Sequence, residues 1–177
     1  MKLVILDRDG TINHDSEHFI KSIDELRPIK GSLEAIARMT QAGYRVVVAT
    51  NQSGIARGLF TTRTLFEIHD SLQRAAAQVG GRIDAFFFCP HAADSACQCR
   101  KPEPGMLLEV ARRFNVSLKD TYMVGDALRD VQAAAAAGAR PVLVLTGKGK
   151  KTNAEGNLPP GTQVFADLAA FAEQLTP

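Results

Sequence analysis

The chain has 177 residues, a length suited to one domain, and 45% apolar residues, enough to build a core without disulfides. Its 21 Lys and Arg against 19 Asp and Glu leave a net charge of +2 with no long block of one sign, which argues against a nucleic-acid arm. The first apolar run starts at Leu3 and is cut by Asp7, too short for a secretory leader or a membrane span, so a cytoplasmic protein with no membrane partner is expected.

Short apolar runs alternate with stretches of helical spacing, which predicts an α/β fold: a three-layer sandwich around a mostly parallel, Rossmann-like sheet. A first strand, 3–6, ends at Asp7-Arg8-Asp9-Gly10-Thr11. About twenty residues then separate Thr11 from a helix over 32–41, room for a flap but not for a large cap domain. A strand over 45–49 runs into Thr50-Asn51, and a helix over 62–79 starts at a Thr-Thr cap and ends at Gly80-Gly81. The strand 85–88 leads into a loop that carries all three cysteines. Beyond Pro102 and Pro104 come a helix over 105–114, a strand over 122–124 ending at Gly125-Asp126, and a helix over 128–137 closed by Gly138. A strand over 141–145, a short sixth strand over 163–165 and a helix over 168–175 capped by Asp167 complete the series; the stretch 147–157 reads as loop. The whole chain, 1–177, is expected to form one domain and, by default, a monomer.

In sheets of this type ligands gather at the carboxyl ends of strands near the reversal of strand order, and the acidic residues fall at such ends. A carboxylate placed like Asp7 can attack phosphorus and form an aspartyl phosphate, dividing one hard hydrolysis into two displacements. Asp9 can protonate the leaving alkoxide and then activate water. Asp126 and Asp130 bring more carboxylate to the same rim, a set suited to Mg²⁺, whose charge lets an anionic nucleophile approach an anionic phosphate. Thr50 and Lys101, each following a strand, supply a hydroxyl and an ammonium for the charge on the transferring group. Taken singly, a strand-end Asp is usually a turn or helix cap and a lone Lys is usually solvated surface.

Cys89, His91, Cys97 and Cys99 form C-x-H-x5-C-x-C, three thiolates and an imidazole, the ligand set of a closed structural Zn²⁺ site. Four protein ligands leave no open position for substrate, so the metal would hold shape and steady the adjoining Arg100-Lys101. Free thiols with an ordinary loop histidine are the plainer alternative.

The ordered set DxDGT, Thr, Lys and GDxxxD, spread over residues 3–147, resembles the four signature motifs of the haloacid dehalogenase (HAD) superfamily of phosphatases. DRDGTIN, TNQSGIARG, CPH, CxCRKPxPGM and YMVGD together resemble the D-glycero-D-manno-heptose 1,7-bisphosphate 7-phosphatases, which make a lipopolysaccharide core or surface-glycan precursor. That resemblance implies Asp7 as nucleophile, Asp9 as acid and base, and Mg²⁺ held by Asp7, the Asp9 backbone carbonyl and Asp126. It implies Thr50 and Lys101 at the phosphoryl group, Arg100 at the distal phosphate, and the sugar lined by Asp15, Ser16, Glu17 and His18 of the flap with Asn51, Gln52 and Ser53. The family often has Lys where this chain has Ala127; Arg129 or the 147–151 loop can replace that charge. The five-residue gap in the cysteine loop resembles the histidinol-phosphate phosphatases, an alternative substrate class. A nucleic-acid 3′-phosphatase is disfavoured by the absence of Trp and of a basic stripe with interleaved aromatics, and a non-catalytic phospho-ligand binder has no need of both Asp7 and Asp9.

Overall fold

Along the first strand, Lys2–Leu6 (β1), neighbouring side chains leave the sheet on opposite sides: Val4 and Leu6 enter one core, Leu3 and Ile5 the other. The second strand, Tyr44–Asn51 (β2), repeats the pattern, with Val46 and Val48 on one side and Val47 and Ala49 on the other. A strand buried on both faces reads as an unbroken apolar run, which is why these segments are continuous rather than alternating in polarity.

The computed structural model describes all 177 residues. Four further strands, Ala85–Cys89 (β3), Tyr122–Gly125 (β4), Arg140–Val144 (β5) and Gln163–Phe165 (β6), complete a parallel six-stranded sheet in the order β3-β2-β1-β4-β5-β6. Ser32–Gln41 (α1), Thr62–Gln78 (α2) and Leu168–Leu175 (α6) feed the first core through residues such as Ile36, Leu72 and Phe171. Gly105–Phe114 (α3) and Leu128–Ala137 (α4) feed the second through Leu107, Val110, Ala133 and Ala134. The arrangement is the expected three-layer sandwich, without a cap domain. No helix is long and apolar enough to cross a membrane.

The caps explain where the helices start. Thr61 accepts a hydrogen bond from the Thr64 amide at 3.1 Å ahead of α2, and Asp167 accepts one from Ala170 at 2.8 Å ahead of α6. Strand and helix ends fall within two residues of the sequence expectation. The exception is Gly149–Glu155 (α5), in a stretch expected to be loop. Its seven residues bury only Gly149 and Thr152, so it has no apolar stripe to reveal it. It forms because its start is pinned to the site described next.

Candidate active site

Strand order reverses between β1 and β4, and the crevice at their carboxyl ends receives Asp7 from one and Asp126 from the other. The Asp7 amide donates to the Val124 carbonyl at 2.8 Å, which carries the pairing one residue past β1. Gly10 turns the chain away at φ +81, and any side chain there would collide with the Asp126 carboxylate; a side chain at Gly147, φ +53, would do the same. Asp126 therefore sits between two glycines. The Lys148 amide donates to its Oδ2 at 2.7 Å and the Thr152 hydroxyl to its backbone carbonyl at 3.0 Å, so the start of α5 grips it from a third side.

Lys101 lies beneath this rim, wholly buried. Its Nζ is 2.9 Å from Asp7 Oδ1, 2.7 Å from Asp130 Oδ1 and 2.7 Å from the Ala49 carbonyl oxygen. Burial disfavours the ammonium, but Asp130 and Asp7 outweigh it and raise its pKa. With its three N–H groups directed there, Lys101 clamps Asp7 rather than pointing a free donor at a phosphoryl group. Asp130 Oδ2 also accepts from the Ala127 amide at 3.0 Å at the start of α4, so the last Asp of GDxxxD is both helix cap and counter-ion.

One ammonium does not balance three carboxylates. Burial and the Asp130 charge push Asp7 up to about 6, and burial with Asp130 and Asp7 pushes Asp126 up to about 8. Oxygens of Asp7, Asp126 and Asp130 lie within 4.8 Å of one another, and buried Asp126 Oδ1 has no hydrogen-bond donor. These are the features of a seat for a hard divalent cation, which would reverse the pKa trend and satisfy the orphaned oxygen.

The Asp9 carboxylate turns away from that cluster. Arg8 Nε and Nη2 donate to its Oδ1 at 3.0 and 2.9 Å, Asn13 Nδ2 to Oδ1 at 2.9 Å, and Gln52 Nε2 to Oδ2 at 3.0 Å. Burial alone would raise its pKa; the Arg8 charge and the donors from Asn13, Arg8 and Gln52 hold it below the ordinary aspartate range. Gln52 Nε2 also donates to Thr50 Oγ1 at 2.9 Å, which leaves the Thr50 hydroxyl proton free to point into the crevice. Asn51 makes a reciprocal amide pair with the Lys101 backbone, both bonds at 3.0 Å, tying the end of β2 to the segment that carries the lysine.

Above the acids lies a cavity of about 220 Å³. Asp15, Ser16 and Glu17 of the flap line it as expected, as do Asn51, Gln52, Ser53 and Arg100. His18 does not: its amide bonds back to Ser16 Oγ at 3.1 Å in a tight local turn, and Phe19, at φ +65, turns into the cavity wall with Ile20. Two cations join Arg100 there, Arg129 and Lys148. Burial disfavours the Arg129 cation, but Asp130, Asp7, Asp126 and Asp15 outweigh it and raise its pKa, and its buried Nε has no partner. Lys148 Nζ pairs with Asp15 at 3.1 Å, bridging α5 to the flap. Arg129 and Lys148 thus bring two cations to the cavity close to Ala127, which has no charge of its own.

A family model described as HAD-hydrolase-like matches residues 98–171. The D-glycero-beta-D-manno-heptose-1,7-bisphosphate 7-phosphatase of Bordetella bronchiseptica is 61% identical, with 99% of this chain and 98% of that protein covered, and the enzyme of that name from Neisseria meningitidis serogroup A is 52% identical over 99% and 95%. A crystal structure of the B. bronchiseptica phosphatase, complexed with magnesium and phosphate, superposes with a TM-score of 0.97 over 99% of this chain and 98% of that one. The chain belongs to the heptose-bisphosphate phosphatase family of HAD hydrolases.

In this heptose-bisphosphate phosphatase family member the cysteine loop closes on itself. Cys89 Sγ is 3.7 Å from Cys97 Sγ and 3.0 Å from Cys99 Sγ, and His91 Nδ1 is 3.4 and 3.3 Å from the sulfurs of Cys89 and Cys99. A disulfide would need sulfurs about 2 Å apart, whereas ligands on a tetrahedral metal with bonds of about 2.3 Å sit just under 4 Å from one another. Burial and the Cys99 hydrogen bond push the Cys89 thiol up to about 12, while at Cys97 burial is outweighed by hydrogen bonds from the Arg100 amide, Cys89, Cys99 and His91, which bring it down to about 6. A thiolate is therefore already favoured at Cys97. That amide belongs to the residue whose side chain lines the cavity, so the loop is tied to Arg100 through its backbone.

Proposed function

We propose that this chain is a magnesium-dependent phosphatase that removes the C7 phosphate of D-glycero-β-D-manno-heptose 1,7-bisphosphate, acting as a one-domain monomer in the cytoplasm. The observation that carries this reading is the charge gathered in the cavity: a carboxylate floor suited to a metal and a reacting phosphate, lined as well by Arg100, Arg129 and Lys148, whose cations suit a second anion. Family membership at 61% identity supplies the sugar.

Lys101 and Asp7 Oδ1 are engaged with each other, which leaves Asp7 Oδ2 to attack phosphorus in line with the departing C7 oxygen. Asp9, which lines the cavity where Arg8, Asn13 and Gln52 hold it, enters the step protonated and gives its proton to that oxygen. The products are the heptose 1-phosphate, now with a free C7 hydroxyl, and a phosphoryl group on Asp7. In the second step Asp9, again a carboxylate, takes a proton from water, which attacks the same phosphorus and returns Asp7 as carboxylate with inorganic phosphate released. Thr50 donates its hydroxyl proton to a phosphoryl oxygen. Asp7, Asp126 and the Asp9 backbone carbonyl would hold Mg²⁺, which would supply the positive charge that offsets repulsion between nucleophile and phosphate. Asp15, Ser16, Glu17, Asn51, Gln52 and Ser53 bind the sugar, and Arg100 the C1 phosphate through its planar fork.

The deciding experiment measures phosphate release with Mg²⁺ from the α and β heptose 1,7-bisphosphates, histidinol phosphate and 3′-phosphorylated oligonucleotides. The β bisphosphate should exceed the other two classes in kcat/KM by at least about 100-fold, since their pockets must pair different charges. Equal or better turnover of histidinol phosphate would overturn the substrate assignment.

Cys89, His91, Cys97 and Cys99 bind Zn²⁺ in the same proposal, as a brace for Arg100. Removing zinc while keeping Mg²⁺ saturating should raise KM for the bisphosphate more than it lowers kcat, because Arg100 loses its anchored amide and Asp7 does not. Unchanged kinetics in protein shown by metal analysis to be zinc-free would refute the brace.

A further inference from the structure

The Arg8 guanidinium is wholly buried, and three of its contacts are with the Asp9 carboxylate, through Nε and Nη2. Its remaining nitrogen, Nη1, faces a residue sixty-one positions away: His69 Nε2 on α2, at 3.2 Å. An arginine can only donate, so the histidine must accept, which fixes the ring as the neutral tautomer with its proton on Nδ1. Burial, then the Arg8 charge, lower the His69 pKa to about 3, in keeping with that tautomer. The ring is held from the other side by stacking on Phe86 of β3, centroids 4.3 Å apart and planes within 12°.

A buried histidine is most often an element of packing. This one is the sole side-chain acceptor for Nη1 of a buried cation whose other donors grip the proposed proton-transfer group. Without it, Nη1 would be a buried charged donor with no partner, and the guanidinium would gain by turning to find one, carrying Asp9 with it. We propose that His69 is a positioning residue for the phosphatase reaction: its neutral ring sets the orientation of Arg8, and Arg8 sets that of the Asp9 carboxylate. The line runs from α2 and β3, through His69 and Arg8, to the rim of β1. It rests on the reading of Asp9 as acid and base, and it adds a residue that touches neither substrate nor metal.

The test compares His69→Phe, which keeps the stacked ring but removes the acceptor, with His69→Gln, whose amide oxygen can accept. His69→Phe should lower kcat about tenfold with KM within about twofold, and His69→Gln should recover to within about threefold of the parent, as for a displaced proton-transfer group. In an Asp9→Asn background the same His69→Phe change should cost nothing further, because the group it positions is already disabled. An unchanged kcat in His69→Phe overturns the proposal, as does an equal loss in the Gln variant or in the Asp9→Asn background. Should His69→Phe not fold, His69→Met takes its place in the cycle; failure of both to fold assigns the ring to packing and also overturns the proposal. If Asp9→Asn itself turns over at the parent rate, it is the role of Asp9 that falls, an outcome separable from the others.

Discussion

Asp7→Asn should fold, retain binding of phosphorylated sugar and turn over at least about 10⁴-fold more slowly than the parent, the scale of loss for a nucleophile that acts as one unit with its acid and base. The amide can still occupy the place beside Lys101, and Lys101 keeps Asp130 as its counter-ion. One of three crowded carboxylates also disappears, and burial with the Asp130 charge already disfavours the ionised form of Asp7. Melting of metal-free Asp7→Asn should therefore be no lower than that of metal-free parent. The checks are single-turnover phosphate release, acid-stable trapping of radiolabelled phosphoenzyme and thermal unfolding. Turnover at the parent rate would remove Asp7 from the mechanism.

Lys101→Met should be damaging in a different way. Methionine matches the length of the lysine stem but leaves Asp7 and Asp130 buried with no ammonium between them and the Ala49 carbonyl without its donor. Breaking a buried pair by removing one partner costs about 3–5 kcal/mol. In a chain of this size each 1 kcal/mol moves Tm by about 2–4 °C, so a fall of roughly 10 °C is expected together with loss of turnover. Saturating Mg²⁺ should restore part of the Tm and none of the activity, because a cation can screen the carboxylates but cannot orient Asp7 Oδ1. A Tm equal to that of the parent would show that the three carboxylates are not balanced by this lysine.

Most of this architecture is legible in the chain itself. The central strands announce themselves because burial on both faces forces unbroken runs such as Val46 to Ala49, and Asp7 and Asp126 are conspicuous because polar residues interrupt those runs abruptly. The cysteine loop is legible because three thiols crowd into eleven residues. What the pattern conceals is contact between residues far apart in sequence. Lys101 has the look of a surface cation beside Arg100 and Pro102, and only the packed fold reveals it locked among Asp7, Asp130 and Ala49. Helix α5 has no apolar period, and Lys148 holds Asp126 through a backbone amide that any residue but proline would supply. His18 shares the polarity of its flap neighbours and differs from them only by a local turn. Arg8 is visible between the two aspartates, but its burial and its partner His69 are not.

The alternation along β1 has a consequence for how this protein can change. Leu3 and Ile5 are committed to one layer and Val4 and Leu6 to the other, and Asp7 takes its direction from the same count. Inserting or deleting a single amino acid there would exchange the two layers' side chains and turn the nucleophile from the crevice into the packing. The opening stretch of the polypeptide is thus held to a fixed length by two demands at once.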